Sequence, residues 1–187
     1  PSLLSFSQLK TIVDAIRRQF VLKDFIEFTL EANPDDITDE QLQYWKQLGI
    51  NRLSIGIQSF QTEALTWMNR AHTVEQSHAA IQMALDAGID NLSIDLIYGT
   101  PSLSDQALMA DLDWIAHYQI KHVSCYALTV EEKTALKKQI EKGQIENVDS
   151  EKQARHFEIV CARLKTMGLE HYEISNFAKP GFRSQHN

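Results

Sequence analysis

Cysteine is scarce in this chain. Only Cys125 and Cys161 occur among 187 residues, and they lie far apart. Neither stands in a metal-ligand spacing, so the pair reads as two reduced, buried thiols of a cytoplasmic protein rather than as a disulfide or a metal knuckle. Basic charge is also in deficit: 18 Lys and Arg against 25 Asp and Glu give a net charge of −7. Nucleic acids and membrane surfaces are bound through a basic patch, and no segment carries one. No apolar run approaches the roughly 20 residues of a membrane span, which argues against stable membrane insertion. No Gly-rich turn opens a helix, which excludes that kind of nucleotide-phosphate cradle. His72, His78, His117, His122, His156 and His171 show no ligand spacing beside an acid and read as surface or core-edge residues. What is present is ordinary for a soluble globular chain: 43% hydrophobic and 23% charged residues, enough for one domain with a real core.

The chain alternates strands with helices. Four runs read as strands: Phe25–Glu31, Arg52–Gln58, Asn91–Tyr98 and His122–Leu128. Helix Gln8–Arg18 sets Leu9, Ile12, Val13 and Ile16 on one face. Further helical patterns run from Asp39 to a stop at Gly49, from Val74 to a stop at Gly88, and from Asp105 through Leu108, Leu112 and Ile115. Capping boxes are expected at Thr38/Gln41, Thr73/Gln76 and Ser150/Gln153. After Leu128 the pattern loosens into a charged helix Lys133–Lys142, an amphipathic helix Ser150–Met167 carrying Phe157, Val160, Cys161 and Leu164, and a short strand Tyr172–Phe177. Such alternation gives right-handed crossovers and a parallel sheet, hence an α/β fold.

The strand faces point to a curved sheet. Strands covered by helices on both sides are apolar on both faces. Here Ile26, Phe28 and Leu30 alternate with Glu27, Thr29 and Glu31, and Leu53, Ile55 and Ile57 with Ser54, Gly56 and Gln58. Leu92, Ile94 and Leu96 alternate likewise with Ser93 and Asp95. Period-two geometry sends each polar set to one side. The apolar sides suit the helices; the polar sides would line an interior that must hold water or a ligand, because unpaired buried polar groups are costly. A barrel or partial barrel fits this best. An antiparallel sheet with one solvated face is the alternative, and the intervening helices argue against it.

In parallel α/β structures ligands sit at the carboxyl ends of the strands. Glu31, Gln58 and Asp95 lie at or near those ends, and Arg70 follows the second strand by about a dozen residues. Two carboxylates, an amide and a guanidinium suit a zwitterionic, hydroxyl-rich ligand: Arg forks a carboxylate, and the acids accept from an amine or a ribose diol. A carboxylate pair acting as general acid and base, or holding Mg2+, is a second reading. A lumen of polar groups satisfied by one another and by water is the third.

Four ordered segments are familiar. Glu31-Ala32-Asn33-Pro34, Asn51-Arg52-Leu53-Ser54-Ile55-Gly56-Ile57-Gln58-Ser59-Phe60, Asn69-Arg70-Ala71-His72 and Ile94-Asp95-Leu96-Ile97-Tyr98-Gly99-Thr100-Pro101 closely resemble the radical S-adenosylmethionine (SAM) family of oxygen-independent coproporphyrinogen III dehydrogenase and its haem-chaperone paralogue. The resemblance implies a partial (β/α)6 TIM-like barrel. It implies a [4Fe–4S] cluster on Cys-x-x-x-Cys-x-x-Cys, and SAM contacts at Glu31, Gln58, Arg70, Asp95 and Ala127. Pro1-Ser2-Leu3-Leu4 resembles the tail of that family's Gly-Gly-Gly-Thr-Pro-Ser-Leu motif. By the same resemblance both ends read as cuts. Residues 1–149 would be a core lacking its early strands and cluster loop, and residues 150–187 would lead into a further C-terminal domain.

The cluster cysteines are not in this sequence, so the chain by itself is expected to be catalytically silent. Tyr172-Glu173-Ile174-Ser175-Asn176-Phe177 and the closing His186-Asn187 resemble the chaperone branch, which carries a haem-ligand role onto His186. Two functions follow for the parent protein: haem chaperone, or dehydrogenase converting two propionates of coproporphyrinogen III to vinyls. SAM and haem or a porphyrinogen are the implied small-molecule partners, with no nucleic acid. An unpaired sheet edge near Phe25–Glu31 invites pairing with a second copy into a homodimer.

Overall fold

The computed structural model describes residues 1–23 and 26–185. Phe25, at the start of the first expected strand, and His186 lie outside the described residues. One six-stranded sheet runs through the molecule in the order β1-β2-β3-β4-β6-β5. Strands β1 (Thr29–Ala32), β2 (Arg52–Gln58), β3 (Leu92–Tyr98) and β4 (His122–Ala127) are parallel, with Glu31 opposite Ser54, Ser54 opposite Ser93 and Ser93 opposite His122. Strand β1 is the sheet's outer strand and is shorter than the sequence pattern predicts.

Helices α1 (Phe6–Gln19), α2 (Asp39–Gln47), α3 (Thr62–Trp67), α4 (Val74–Asp86), α5 (Asp105–His117), α6 (Ala135–Glu141) and α7 (Ser150–Thr166) fill the connections. Apart from α6, which buries no side chain, their apolar sides meet those of the strands in one core, where Leu42, Trp45, Leu53, Ile55, Ile81, Ile94, Leu112 and Leu164 are buried. On α1 only Leu9 and Val13 are buried, while Ile12 and Ile16 are exposed, a narrower stripe than the spacing predicts. On α7 Val160 and Leu164 are buried but Phe157 is exposed, its ring beside those of Tyr98 and His171.

The caps divide. Thr73/Gln76 forms the full reciprocal box, and Thr38 accepts from the Gln41 amide. Ser150/Gln153 does not cap. Asp149 takes that role, its carboxylate accepting from the Glu151 and Lys152 amides, because a carboxylate is the stronger acceptor at a helix N-terminus. Gln153 is thereby free to donate to the Leu128 carbonyl at 2.7 Å. Ser5/Gln8 forms a box that the sequence pattern did not single out.

The last segment departs most. In place of one strand at Tyr172–Phe177 the chain makes a hairpin, β5 (Glu170–Glu173) and β6 (Asn176–Ala178), and β6 pairs antiparallel with β4. The sheet is therefore mostly rather than wholly parallel. Residues after the hairpin turn under the amino ends of the strands. There Arg52, 1% exposed, donates through Nη1 to Asn91 Oδ1 at 3.0 Å and to the Phe182 carbonyl at 3.2 Å, with Glu27 at 3.7 Å. Glu27 also accepts from the Ser184 hydroxyl and the Gln185 amide. A floor thus forms beneath the polar face of the sheet, and it leaves the carboxyl ends of the strands as the open mouth.

Candidate functional site

Glu31 is the penultimate residue of β1, Gln58 ends β2, and Asp95 sits in the middle of β3 on the same polar face. All three line one open space of about 310 Å³ together with Asn33, Ser54 and Gly56, and Pro1-Ser2-Leu3 borders it. Period-two geometry explains the grouping: Ser54, Gly56 and Gln58 alternate with the buried Ile55 and Ile57, and Asp95 alternates with the buried Ile94 and Leu96.

Asp95 is half-buried. Burial pushes its carboxyl up to about 6; hydrogen bonds from Ser124 and Ser54 favour the charged form and offset part of this, while the neighbouring Glu31 charge raises it further and Arg52 lowers it. The Ser54 hydroxyl donates at 3.3 Å. Beneath lies a small polar cavity of about 50 Å³, bordered by Arg52, Ser93, His122 and Ser124.

Arg70 reaches the mouth from the turn after α3. Its Nη2 donates to Asn33 Oδ1 at 3.2 Å, and Asn33 Nδ2 in turn donates to Asp36, which also accepts from Ser2. The Nε of Arg70 is buried and has no hydrogen-bond partner in the protein. A guanidinium with one buried N–H unpaired is suited to a carboxylate brought by a ligand. Gly56 makes the approach possible. A Cβ there would stand 2.8 Å from Gln58 Nε2 and 3.7 Å from both Arg70 Nη2 and Asn33 Oδ1, so the missing side chain is the space in which amide, guanidinium and asparagine meet.

Of the residues singled out from the sequence, Glu31, Gln58 and Asp95 share this space, and Arg70 adjoins it through Asn33 and Gly56. Ala127 stands at the same end of the sheet, opposite Tyr98, but is exposed and does not border the cavity. Asn33, Ser54 and Ser124 also belong to the site, through their hydrogen bonds to Arg70 and Asp95. Ser54 was legible from its polar face, whereas Asn33 acts only because the chain turns back at Pro34. The histidines differ from expectation: His72, His122 and His156 are buried, each with hydrogen-bond partners. Both cysteines are free thiols. Cys125 is buried, with its thiol pushed far up by burial, and among the described residues no group of three or more His, Cys, Asp or Glu side chains could hold a metal ion. The described residues therefore do not fit an iron–sulfur cluster.

Residues 5–115 match the model of the Radical SAM superfamily. The chain belongs to that superfamily. Its radical SAM relatives include the heme chaperone HemW of Bacillus subtilis (strain 168), 38% identical over all of this chain and 50% of the relative. The heme chaperone HemW of Escherichia coli (strain K12) is 33% identical over all of this chain and 48% of the relative. The chain thus spans about half the length of the curated relatives it matches. Among solved structures, the coproporphyrinogen III oxidase HemN of Escherichia coli, a radical SAM enzyme, superposes with a TM-score of 0.84 at 24% identity, over 97% of this chain and 42% of that one. The fold is accordingly a partial barrel, as the strand faces predict, and of the radical SAM type that the family resemblance implies. No helix among the described residues is long and apolar enough to cross a membrane.

Proposed function

We propose that the mouth of this partial barrel binds SAM, and that the protein containing this chain handles haem as a chaperone. The observation that carries the first part is the meeting of Arg70, Gln58, Glu31 and Asp95 around Gly56, with one buried guanidinium N–H left for a ligand. Arg70 would take the methionine carboxylate of SAM. Asp95 and Glu31 would accept from its ammonium or its ribose hydroxyls, and the Gln58 amide can both donate and accept beside them. Ala127, at the exposed end of β4, would contribute backbone contacts. In a radical SAM protein SAM serves as the precursor of a carbon-centred radical. This chain's own residues would bind and orient it, with Asn33 holding Arg70 and with Ser54 and Ser124 holding Asp95 by hydrogen bonds.

The chaperone part rests on the relatives: HemW proteins match the whole chain at 33–38% identity, whereas the HemN likeness speaks for the fold alone. His186, by its place in the sequence, is the proposed haem ligand of this stretch. The test is a titration of the full-length, anaerobically reconstituted protein with SAM and with haem. Arg70→Ala should weaken SAM binding by about 2–4 kcal/mol, the cost of losing a charge-assisted fork in a desolvated site. Unchanged affinity by calorimetry would remove the SAM assignment. Loss of propionate carboxylates from coproporphyrinogen III in the presence of SAM and a reductant would replace the chaperone reading with the dehydrogenase one.

A further inference from the structure

The turn that carries Gln58 is strained. Gln58 has φ +69°, a left-handed conformation for a residue with a side chain, and the Ser59 amide donates back to the Ile57 carbonyl at 2.9 Å. An i to i+2 bond across a residue of positive φ makes this the rarer and more strained kind of γ-turn. The pairing of β2 with β3 also shifts register between Ile55 and Gln58, so the ladder is irregular where it reaches the turn, with Gln58 opposite Leu96. Strain of this sort persists only where surrounding groups over-determine it.

The surrounding groups come from elsewhere in the fold. Asp111, 1% exposed on α5, accepts the Ser59 hydroxyl at 2.6 Å, the Phe60 amide at 3.0 Å and the Gln61 side-chain amide at 2.8 Å. His72 Nε2 shares the Ile57 carbonyl at 3.0 Å from the other side. Asp111 thereby bonds each of the three residues that follow Gln58, and none of these bonds reaches the cavity itself.

We propose that Asp111 is a positioning residue for the SAM site: it clamps the Ser59-Phe60-Gln61 loop so that Gln58 stays in its strained turn with its amide over Gly56. The proposal rests on the reading of the mouth as a SAM site. An untethered loop would let Gln58 relax to negative φ and swing its amide away.

The test is SAM affinity of the full-length, anaerobically reconstituted protein, measured by calorimetry on single and double variants. Gln58→Ala should weaken SAM by about tenfold, the worth of one hydrogen bond in a buried site. Asp111→Ala should weaken it by a similar factor. Asp111→Asn, which keeps the acceptor oxygen for Phe60 and Gln61, should stay within about threefold of wild type, as expected where geometry rather than charge is at stake. In the Gln58→Ala background Asp111→Ala should cost nothing more, because residues acting through one another are not additive. Val13→Ala, which opens the core under α1, should lower stability but leave SAM affinity alone.

If wild type does not bind SAM, or Gln58→Ala binds as wild type, the site reading itself falls. If Gln58→Ala is weakened but Asp111→Ala is not, or the two losses multiply, or Val13→Ala weakens binding equally, the clamp is overturned and the site reading stands. Should Asp111→Ala fail to fold, Ser59→Ala decides. It removes one bond of the clamp and should cost about threefold alone and nothing beside Gln58→Ala; no loss overturns the proposal.

Discussion

At the scale of single residues, Gly56 separates ligand binding from folding. Its backbone needs no special conformation, and a Cβ there meets only the far end of the Gln58 side chain, at 2.8 Å. A flexible amide can move aside cheaply, so Gly56→Ala should change stability by less than about 1 kcal/mol. The same displacement moves the amide out of the site, and SAM affinity should fall about tenfold. Parallel urea unfolding and calorimetry check this; equal losses in both would mean that Gly56 matters to packing alone.

Asp95 offers a second handle. Its carboxyl titrates near 6 because burial outweighs the two serine hydroxyls. A proton taken up below that pH removes the acceptor for an ammonium or ribose hydroxyl. SAM affinity should therefore be constant above pH 7 and fall by up to about tenfold per unit below 6, with Asp95→Asn weak and flat across the range. A wild-type profile that stays level to pH 5 would exclude Asp95 from the contact. Period-two alternation makes Glu31 and Asp95 legible, because strand geometry fixes which way each points, whereas Gln58 owes its final direction to the left-handed turn after the register shift. Arg70 was placed by chemistry and resemblance, since a turn residue has no such period. Asn33 and Asp111 act only through contacts 37 and 50 or more residues away, which no local pattern encodes.

At the scale of elements, glycine conformation and close packing can be told apart at two turns. Gly99, after β3, has φ +78°, and a Cβ there would stand 2.4 Å from Gln153 Cγ on α7. Gly143, after α6, has φ +65° with nothing within 4 Å. Alanine at 143 pays only the left-handed penalty of roughly 1 kcal/mol. Alanine at 99 pays this and also displaces Gln153, which holds the Leu128 carbonyl, in the same turn where the Gly99 amide donates to the buried His156. Gly99→Ala should therefore cost at least about 1 kcal/mol more than Gly143→Ala in denaturant unfolding. Equal costs would show that α7 does not brace the β3 turn.

The same contrast explains which elements the sequence revealed. Parallel strands and their helices repeat a pattern that burial imposes, so β2, β3 and β4 stand within a residue of expectation, and α4 and α5 begin where expected. The β5–β6 hairpin does not repeat it. Its exposed Glu170, His171 and Glu173 give no apolar period, and β6 forms because β4 offers it an open edge, which is a tertiary cause. The cap at Asp149 was missed for the opposite reason: two candidates stand side by side, and acceptor strength chose between them.

At the scale of the molecule, the floor of the barrel ties the lead into β1 to the residues beyond the hairpin. Arg52, on β2, is bonded to Asn91 before β3, to the carbonyl of Phe182 beyond the hairpin, and lies 3.7 Å from Glu27 ahead of β1. Both members of the ion pair are nearly out of solvent, with side chains 1% and 9% exposed. Burial alone would push the guanidinium toward its neutral form, and the Glu27 charge opposes this. A buried pair of this kind adds little net stability when intact, yet removing one partner strands the other charge at a cost of about 3–5 kcal/mol. Arg52→Met should therefore lower the unfolding free energy by about that amount, and Arg52→Met with Glu27→Gln should recover a large part of it, because no charge is then left uncompensated. The hydrogen bond to Phe182 is lost in both, so amide exchange across residues 179–185 should quicken in the single and the double variant alike. Recovery of stability without recovery of exchange protection would assign the charge balance to Glu27 and the anchoring of the tail to Arg52 itself. A double variant no more stable than the single would mean that Arg52 acts through its packed stem rather than through its charge.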